Sequence, residues 1–224
     1  MGLRRPFRKL SAYFGNKLRD RGVRVPRFML IRKEPFLRGV ADTLTKDDVV
    51  IDLGAHIGAA SVEFAHNAAK VYAFEPHPEI FEQLRHAVRN YPNIEPINAA
   101  ISTKAGKAKL FFEPPKDKKQ FEGSTLIEGK SNVSYDNAFE VDTVSLADFV
   151  QGLGKRVRMI KMDIEGAEYR VISGLLETEA VHLIDKIWVE PHEDRIPELK
   201  AERAAVEKRI AELDLTDKFD FNWP

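Results

Sequence analysis

Apolar and polar positions along the chain alternate between two periods. Short apolar runs occur at 48–53 (DVVIDL), 70–75 (KVYAFE), 157–162 (VRMIKM) and 185–190 (DKIWVE). Each has the length and composition of a strand buried on both faces. Stretches with helical spacing lie between them: 56–68 (HIGAASVEFAHNA), the segment from Pro78 with Ile80, Phe81, Leu84 and Val88 on one face, and 165–177 (EGAEYRVISGLLE). A later helix carries Leu199, Val206, Ile210 and Leu213. NIEPINAAI (93–101) reads as a strand interrupted by Pro96, and AKLFFE (108–113) as another strand. FEVDTVSL leads into a short helix near Ala147–Val150, and DKFDFNWP (217–224) allows one last short strand. Such alternation implies βαβ units with right-handed crossovers, hence an α/β fold with a doubly wound, mostly parallel sheet. Ligands of such sheets bind outside the carboxyl ends of the strands.

One long stretch breaks the rhythm. Residues 114–137 (PPKDKKQFEGSTLIEGKSNVSYDN) are polar and rich in turn formers, and loops of that length inside a domain are usually functional or mobile. At 224 residues the chain fits one domain over 48–224 with an N-terminal arm over 1–47. The absence of cysteine excludes a disulfide framework, a thiolate zinc site and a thiol nucleophile. No apolar run reaches the roughly 18 residues of a membrane span, and the N-terminus lacks the apolar core of a signal peptide. The expectation is a soluble, cytoplasmic protein.

Charge adds an asymmetry that the zero net balance hides. Residues 1–33 carry eleven Lys and Arg against Asp20 alone, which leaves 24 basic and 34 acidic residues in the body. A basic arm on an acidic body can grip an anionic substrate, nucleic acid or a membrane surface. Alternatively Phe7, Leu10, Tyr13, Phe14 and Leu18, at helical spacing, pack on the body.

The loop after the first strand, DLGAHIG (52–58), has no lysine of the phosphate-gripping G-x-x-x-x-G-K pattern. It also lacks the middle glycine that lets a pyrophosphate reach the backbone in G-x-G-x-x-G, since Ala55 and His56 fill that interval. It opens on a carboxylate, Asp52, which repels pyrophosphate and suits a ligand with a positive group. Glu75 closes the second strand, where an acid can accept hydrogen bonds from both hydroxyls of a ribose. A ribose, no pyrophosphate and a loop tolerant of positive charge together describe S-adenosylmethionine.

VVIDLGAHIG, VYAFEPHPEIFEQL, NAAIS, GSTL and above all IKMDIEGAEYRVISG resemble the FkbM-type methyltransferases, a branch of the class I, Rossmann-like fold that uses S-adenosylmethionine. The resemblance covers about residues 48–192. It implies that Asp52, Gly54 and Gly58 shape the methionine end of the donor site, that Glu75 holds the ribose, and that the Asn98–Ala99 turn borders the adenine. It further implies that Ser124 closes over the donor. His56 stands where the family often has asparagine. The family fold usually finishes with two strands after the last helix, and here only one is available, so the sheet edge is expected to be either shortened or completed by the arm or by another subunit.

The remaining candidates concern the acceptor. Asp163 follows the strand VRMIKM, and Glu190 and His192 follow IWVE, so neighbouring strands would bring these three toward one pocket. A hydroxyl acceptor must lose a proton, and His192 or Asp163 is the expected base. Asp163 and Glu190 also suit a divalent ion such as Mg2+. Against these readings, Glu165 and Glu168 lie near a helix N-terminus, where the dipole favours acids. His66, His77, His86 and His182 read as surface or loop residues. The expected activity is O-methylation of a hydroxyl on a sugar, glycolipid or natural-product acceptor, with an acidic sugar favoured by the basic arm. A nucleotide-dependent dehydrogenase and a non-catalytic donor-binding module are the rivals.

Overall fold

The computed structural model describes residues 35–112, 124–127 and 134–223. Residues 1–34 of the N-terminal arm, which carry its basic charge, most of the 114–137 loop and the expectations placed on them lie outside the described residues. Among the described residues no helix is long and apolar enough to cross a membrane.

The order of elements is α1 (Pro35–Asp42), β1 (Val49–Leu53), α2 (Ala59–Ala65), β2 (Lys70–Phe74), α3 (Pro78–Val88), β3 (Ile94–Ile97), β4 (Ala100–Ser102), β5 (Gly106–Phe111) and β6 (Ala138–Ser145). It continues with α4 (Leu146–Gly152), β7 (Val157–Met162), α5 (Glu168–Leu176), β8 (Ile184–Val189), α6 (Leu199–Glu212) and β9 (Phe219–Asp220). Six strands form one parallel sheet in the order β3-β2-β1-β7-β8-β9. The chain winds outward from β1 to β3, then returns beside β1 as β7. The point of reversal lies between β1 and β7, where a doubly wound sheet opens its ligand crevice.

Strand side chains alternate between two apolar layers. Ile51, Leu53, Ile160, Met162, Ile187 and Val189 pack with α4, α5 and α6 on one face. Val50, Val71, Ala73 and Met159 pack with α1, α2 and α3 on the other. This explains why the strands read as nearly continuous apolar runs. The last strand is two residues long and pairs with β8 alone, so the sheet edge is short, as expected.

Three elements differ from the sequence reading. NIEPINAAI is not one strand: it breaks at Asn98 and Ala99, and its second half joins a separate sheet of order β4-β6-β5. Pro96 is not what breaks it. That residue sits within β3, an edge strand with β2 on one side only, where its missing N–H costs no ladder bond. The helix expected over 56–68 begins at Ala59, because His56 and Gly58 adopt left-handed backbone conformations with φ of 51° and 88°. The helix expected over 165–177 begins at Glu168, because Glu165 and Gly166 also have positive φ, at 58° and 109°.

Candidate active site

The residue after each central strand donates its N–H to the end of the neighbouring strand. Glu75 N–H donates to the Ile97 carbonyl, Gly54 to Phe74, Asp163 to Leu53 and Glu190 to Met162, at 2.9–3.1 Å. The carboxyl ends of β3, β2, β1, β7 and β8 are therefore level. Glu75, Gly54, Asp163 and Glu190 stand in a row along the switch-point edge.

The glycine loop is locked from below by a buried cation. Asp52 and Lys161 are register partners on β1 and β7. Lys161 Nζ lies 3.3 Å from Asp52 Oδ1 and 3.3 Å from Asp163 Oδ2. It also donates to the Leu53 and Gly54 carbonyls, at 3.3 and 2.8 Å. Burial alone would lower its pKa, but the Asp163 and Asp52 carboxylates outweigh burial and raise it, so the ammonium stays charged. Asp52 is fully buried and accepts a second bond from Ser61 Oγ at 2.5 Å. Its carboxylate thus anchors the bend from inside. Lys161 was not singled out from the sequence. The legible signal was an acid in the run VVIDL and basic residues in the run VRMIKM, of which Lys161 meets Asp52 at one register.

The two glycines are required by space. A Cβ on Gly54, at φ +75°, would lie 1.7 Å from the Asp163 carbonyl oxygen, and one on Gly58 would lie 2.8 Å from Leu84 Cδ1. The β1 loop consequently packs directly on the β7 loop. Beside it, Glu75 accepts from His56 N–H and His77 N–H, both at 2.9 Å. Burial pushes its pKa up to about 7, opposed by these two amides and by Lys161. Asn98 donates from Nδ2 to the Glu75 and Pro76 carbonyls, at 2.8 and 3.1 Å, and so fixes the turn that carries the acid. Ala99, next to it, is buried. His77, read as a surface or loop residue, lies in the loop that enters α3 but is fully buried, its ring edge-on to Phe112 and Phe139. Burial, then the charge of His56, lowers its pKa to about 4, so it is neutral.

The second half of the site is an acidic cluster around His192. Nδ1 of His192 lies 3.1 Å from the Glu190 carbonyl and 3.1 Å from Glu168 Oε1. Its Nε2 faces Glu165 Oε2 at 3.2 Å and Asp163 Oδ1 at 3.7 Å. Burial lowers the pKa of His192, but Glu165 and Glu168 more than compensate and raise it to about 10. Glu168 accepts the Ile164 and Gly166 N–H groups, both at 2.9 Å, which turns the IEGAE segment around its carboxylate. Glu190 hydrogen-bonds Asp163, and burial followed by the Asp163 charge raises its pKa to about 7. Two carboxyl groups sharing a proton in this way give no support to Mg2+ held by Asp163 and Glu190 as a pair.

Ser124 lies where the GSTL segment reaches the cluster. Its neighbour Thr125 donates from Oγ1 to the Glu165 carbonyl at 2.7 Å, and Ile127 packs near Gly166. The Ser124 hydroxyl oxygen is buried with no hydrogen-bond partner among the described residues. Every candidate named from the sequence therefore lies on the switch-point edge or on a segment packed against it.

The chain is similar to several known proteins. It is 26% identical over 162 residues to the hexuronic acid methyltransferase AglP of Haloferax volcanii, covering 71% of this chain and 62% of that protein. It is 28% identical over 155 residues to the 2-O-methyltransferase NoeI of Sinorhizobium fredii, covering 63% of each. It thus spans a little under two thirds of the length of these relatives. Among solved structures, a methyltransferase FkbM from Methylobacillus flagellatus superposes with a TM-score of 0.49 at 17% identity, covering 74% of this chain and 38% of that one. The model of the methyltransferase FkbM domain matches residues 52–214, from the first acid of the glycine loop to the end of α6, and the chain belongs to that family.

Proposed function

We propose that the chain transfers the methyl group of S-adenosylmethionine to a hydroxyl of an acidic sugar. The observation that carries this reading is the row of strand ends: a glycine bend and a buried ribose-type acid stand beside a group of carboxyls able to take a proton. The residues suit the donor. The bend from Gly54 to Gly58 takes left-handed backbone at Gly54, His56 and Gly58, a turn that brings the chain sharply round at the end of β1. Each Glu75 carboxylate oxygen accepts one amide and keeps a second lone pair for a ribose hydroxyl. The Asn98–Ala99 turn takes the adenine edge, and the buried Ser124 hydroxyl closes the site.

When bound, S-adenosylmethionine supplies a methyl carbon activated by positive sulfur, and the thioether leaves without needing an acid. The chain's own work is orientation and proton removal. Orientation of the two reactants contributes on the order of 7–11 kcal/mol when the geometry is near attack. Glu190 is the proton acceptor in this reading. Its pKa of about 7 keeps a substantial fraction ionised at neutral pH, and its partner Asp163 is held by Lys161. His192, which with Asp163 was one of two bases suggested by the sequence, is protonated and wedged between Glu165 and Glu168, so it acts as a positioning residue.

The substrate class draws on two supports. One relative is named for hexuronic acid and another for 2-O-methylation. In addition, Arg195, with its side chain 52% exposed, stands at the rim beside Glu165 and can meet a sugar carboxylate. The test is incubation with radiolabelled S-adenosylmethionine and a panel of glucuronic, galacturonic and neutral glycosides. Methylation of uronic glycosides over neutral ones supports the reading. Preference for neutral sugars, or no transfer to any of them, contradicts it.

A further inference from the structure

We propose that Asp163, Glu165 and His192 form a binding site for one divalent cation of the manganese or zinc class. Three donor atoms, one from each residue, lie within 4.8 Å of one another. Ligand bonds of about 2.0–2.2 Å place neighbouring donors about 3–3.6 Å apart at the corners of a tetrahedron or octahedron. Of the separations from His192 Nε2, the 3.2 Å to Glu165 falls within that spacing and the 3.7 Å to Asp163 lies just beyond it. The shorter contact is within hydrogen-bond distance, but Nε2 is buried, the residue is 2% exposed, and this atom makes no hydrogen bond of acceptable geometry among the described residues.

The support around each donor is that of a metal ligand. A ligating imidazole characteristically offers its other ring nitrogen to a carboxylate or carbonyl, which fixes tautomer and orientation. Nδ1 of His192 has both partners, Glu168 Oε1 and the Glu190 carbonyl. Asp163 presents Oδ1 to the cluster while Lys161 holds Oδ2, and Arg195 holds Glu165 at 3.4 Å. Glu165 reaches the cluster from a left-handed backbone, φ 58°, which costs energy and persists only when the surroundings impose it. The charges agree as well. Four carboxyl groups, Asp163, Glu165, Glu168 and Glu190, converge here beside the single buried ammonium of Lys161, and a bound ion takes the place of the proton on His192 Nε2.

One imidazole nitrogen with two carboxylate oxygens favours Mn2+, Zn2+ or Fe2+ over Mg2+, which prefers all-oxygen ligands and retained water. The remaining coordination positions face the crevice. Binding of the ion does not depend on the methyl-transfer reading. Its use does: there, the ion holds the acceptor oxygen while Glu190, outside the ligand set, takes the proton.

The test is titration of the full chain with Mn2+, followed by the loss of the free-ion paramagnetic resonance signal, without any methyl donor. The expected result is one ion per chain, displaced by equimolar Zn2+ but not by equimolar Mg2+. Glu165→Gln and His192→Asn should each weaken binding at least tenfold, with melting curves confirming folded protein. Three results overturn the site: no binding up to about 1 mM Mn2+, Glu165→Gln binding as tightly as the unaltered chain, or Mg2+ competing as well as Zn2+. Calorimetry with S-adenosylmethionine on the same metal-free sample reports separately on the donor site, so failure of one leaves the other standing.

Discussion

The main chain of Asp163 occupies the space that a side chain at Gly54 would need. A Cβ there would lie 1.7 Å from the Asp163 carbonyl oxygen, and the φ of +75° is itself unfavourable for any other residue. The glycine loop and the segment that carries Asp163 are therefore built against each other, each fixing the position of the other. Gly54→Ala should destabilise the fold by about 3 kcal/mol or more, since the clash is with backbone and cannot be relieved by a rotamer change. Urea denaturation measures this. A variant melting within error of the unaltered chain would show that the two loops are not in contact.

Lys161 supports a second prediction. Removing one partner of a buried ion pair leaves the other charge without compensation, at a cost of about 3–5 kcal/mol. Lys161→Met should therefore lose stability on that scale, although methionine is apolar and close in length. The double variant Lys161→Met with Asp52→Asn should recover part of the loss, because the fully buried carboxylate is then neutral and the remaining partner, Asp163, reaches solvent. Additive losses in the double variant would contradict the coupling.

Glu75 predicts how donor affinity depends on pH. Its folded pKa of about 7 lies above the ordinary carboxyl value of 4.5, so the fold prefers the protonated acid. Stability from this group consequently falls as pH rises from about 4.5 to 7, by on the order of 3 kcal/mol in all. Ribose hydroxyls donate to the ionised form, so S-adenosylmethionine should bind more tightly as pH rises through about 7. Calorimetric affinities at pH 6 and pH 8 should differ in the unaltered chain and converge in Glu75→Gln.

Glu190 and His192 are separated by kinetics. At saturating donor, the turnover rate should rise through about pH 7 as Glu190 ionises. Glu190→Gln should lower it about 10²–10⁴-fold and remove that dependence. His192→Gln removes a positioning cation instead, so its rate should fall while the rise near pH 7 remains. Loss of the pH dependence in the histidine variant alone would return the base to His192.

The contrast between legible and hidden features follows the physics. The six-strand sheet was readable because strands buried on both faces show as continuous apolar runs, and the position of Gly54 and Glu75 at strand ends because each directly follows such a run. Asn98 and Ala99 hid a sheet change, since a turn held by one side-chain amide leaves almost no local pattern. His192 was placed correctly beside Asp163, yet its charge state came from Glu165 and Glu168, which converge only because the backbone takes left-handed turns at Glu165 and Gly166. Lys161 was hidden for a related reason: within β7 it reads as an isolated polar residue, and only pairing with β1 reveals its partner.

The central claim is that Glu75 and the Gly54–Gly58 bend hold S-adenosylmethionine, and calorimetric titration of the unaltered chain and of Glu75→Ala at pH 8 tests it most directly. The account predicts saturable binding of one donor per chain, weakened at least tenfold by the substitution, with the fold intact by melting. Equal affinity in the two proteins, or no heat of binding in the unaltered chain, would contradict it.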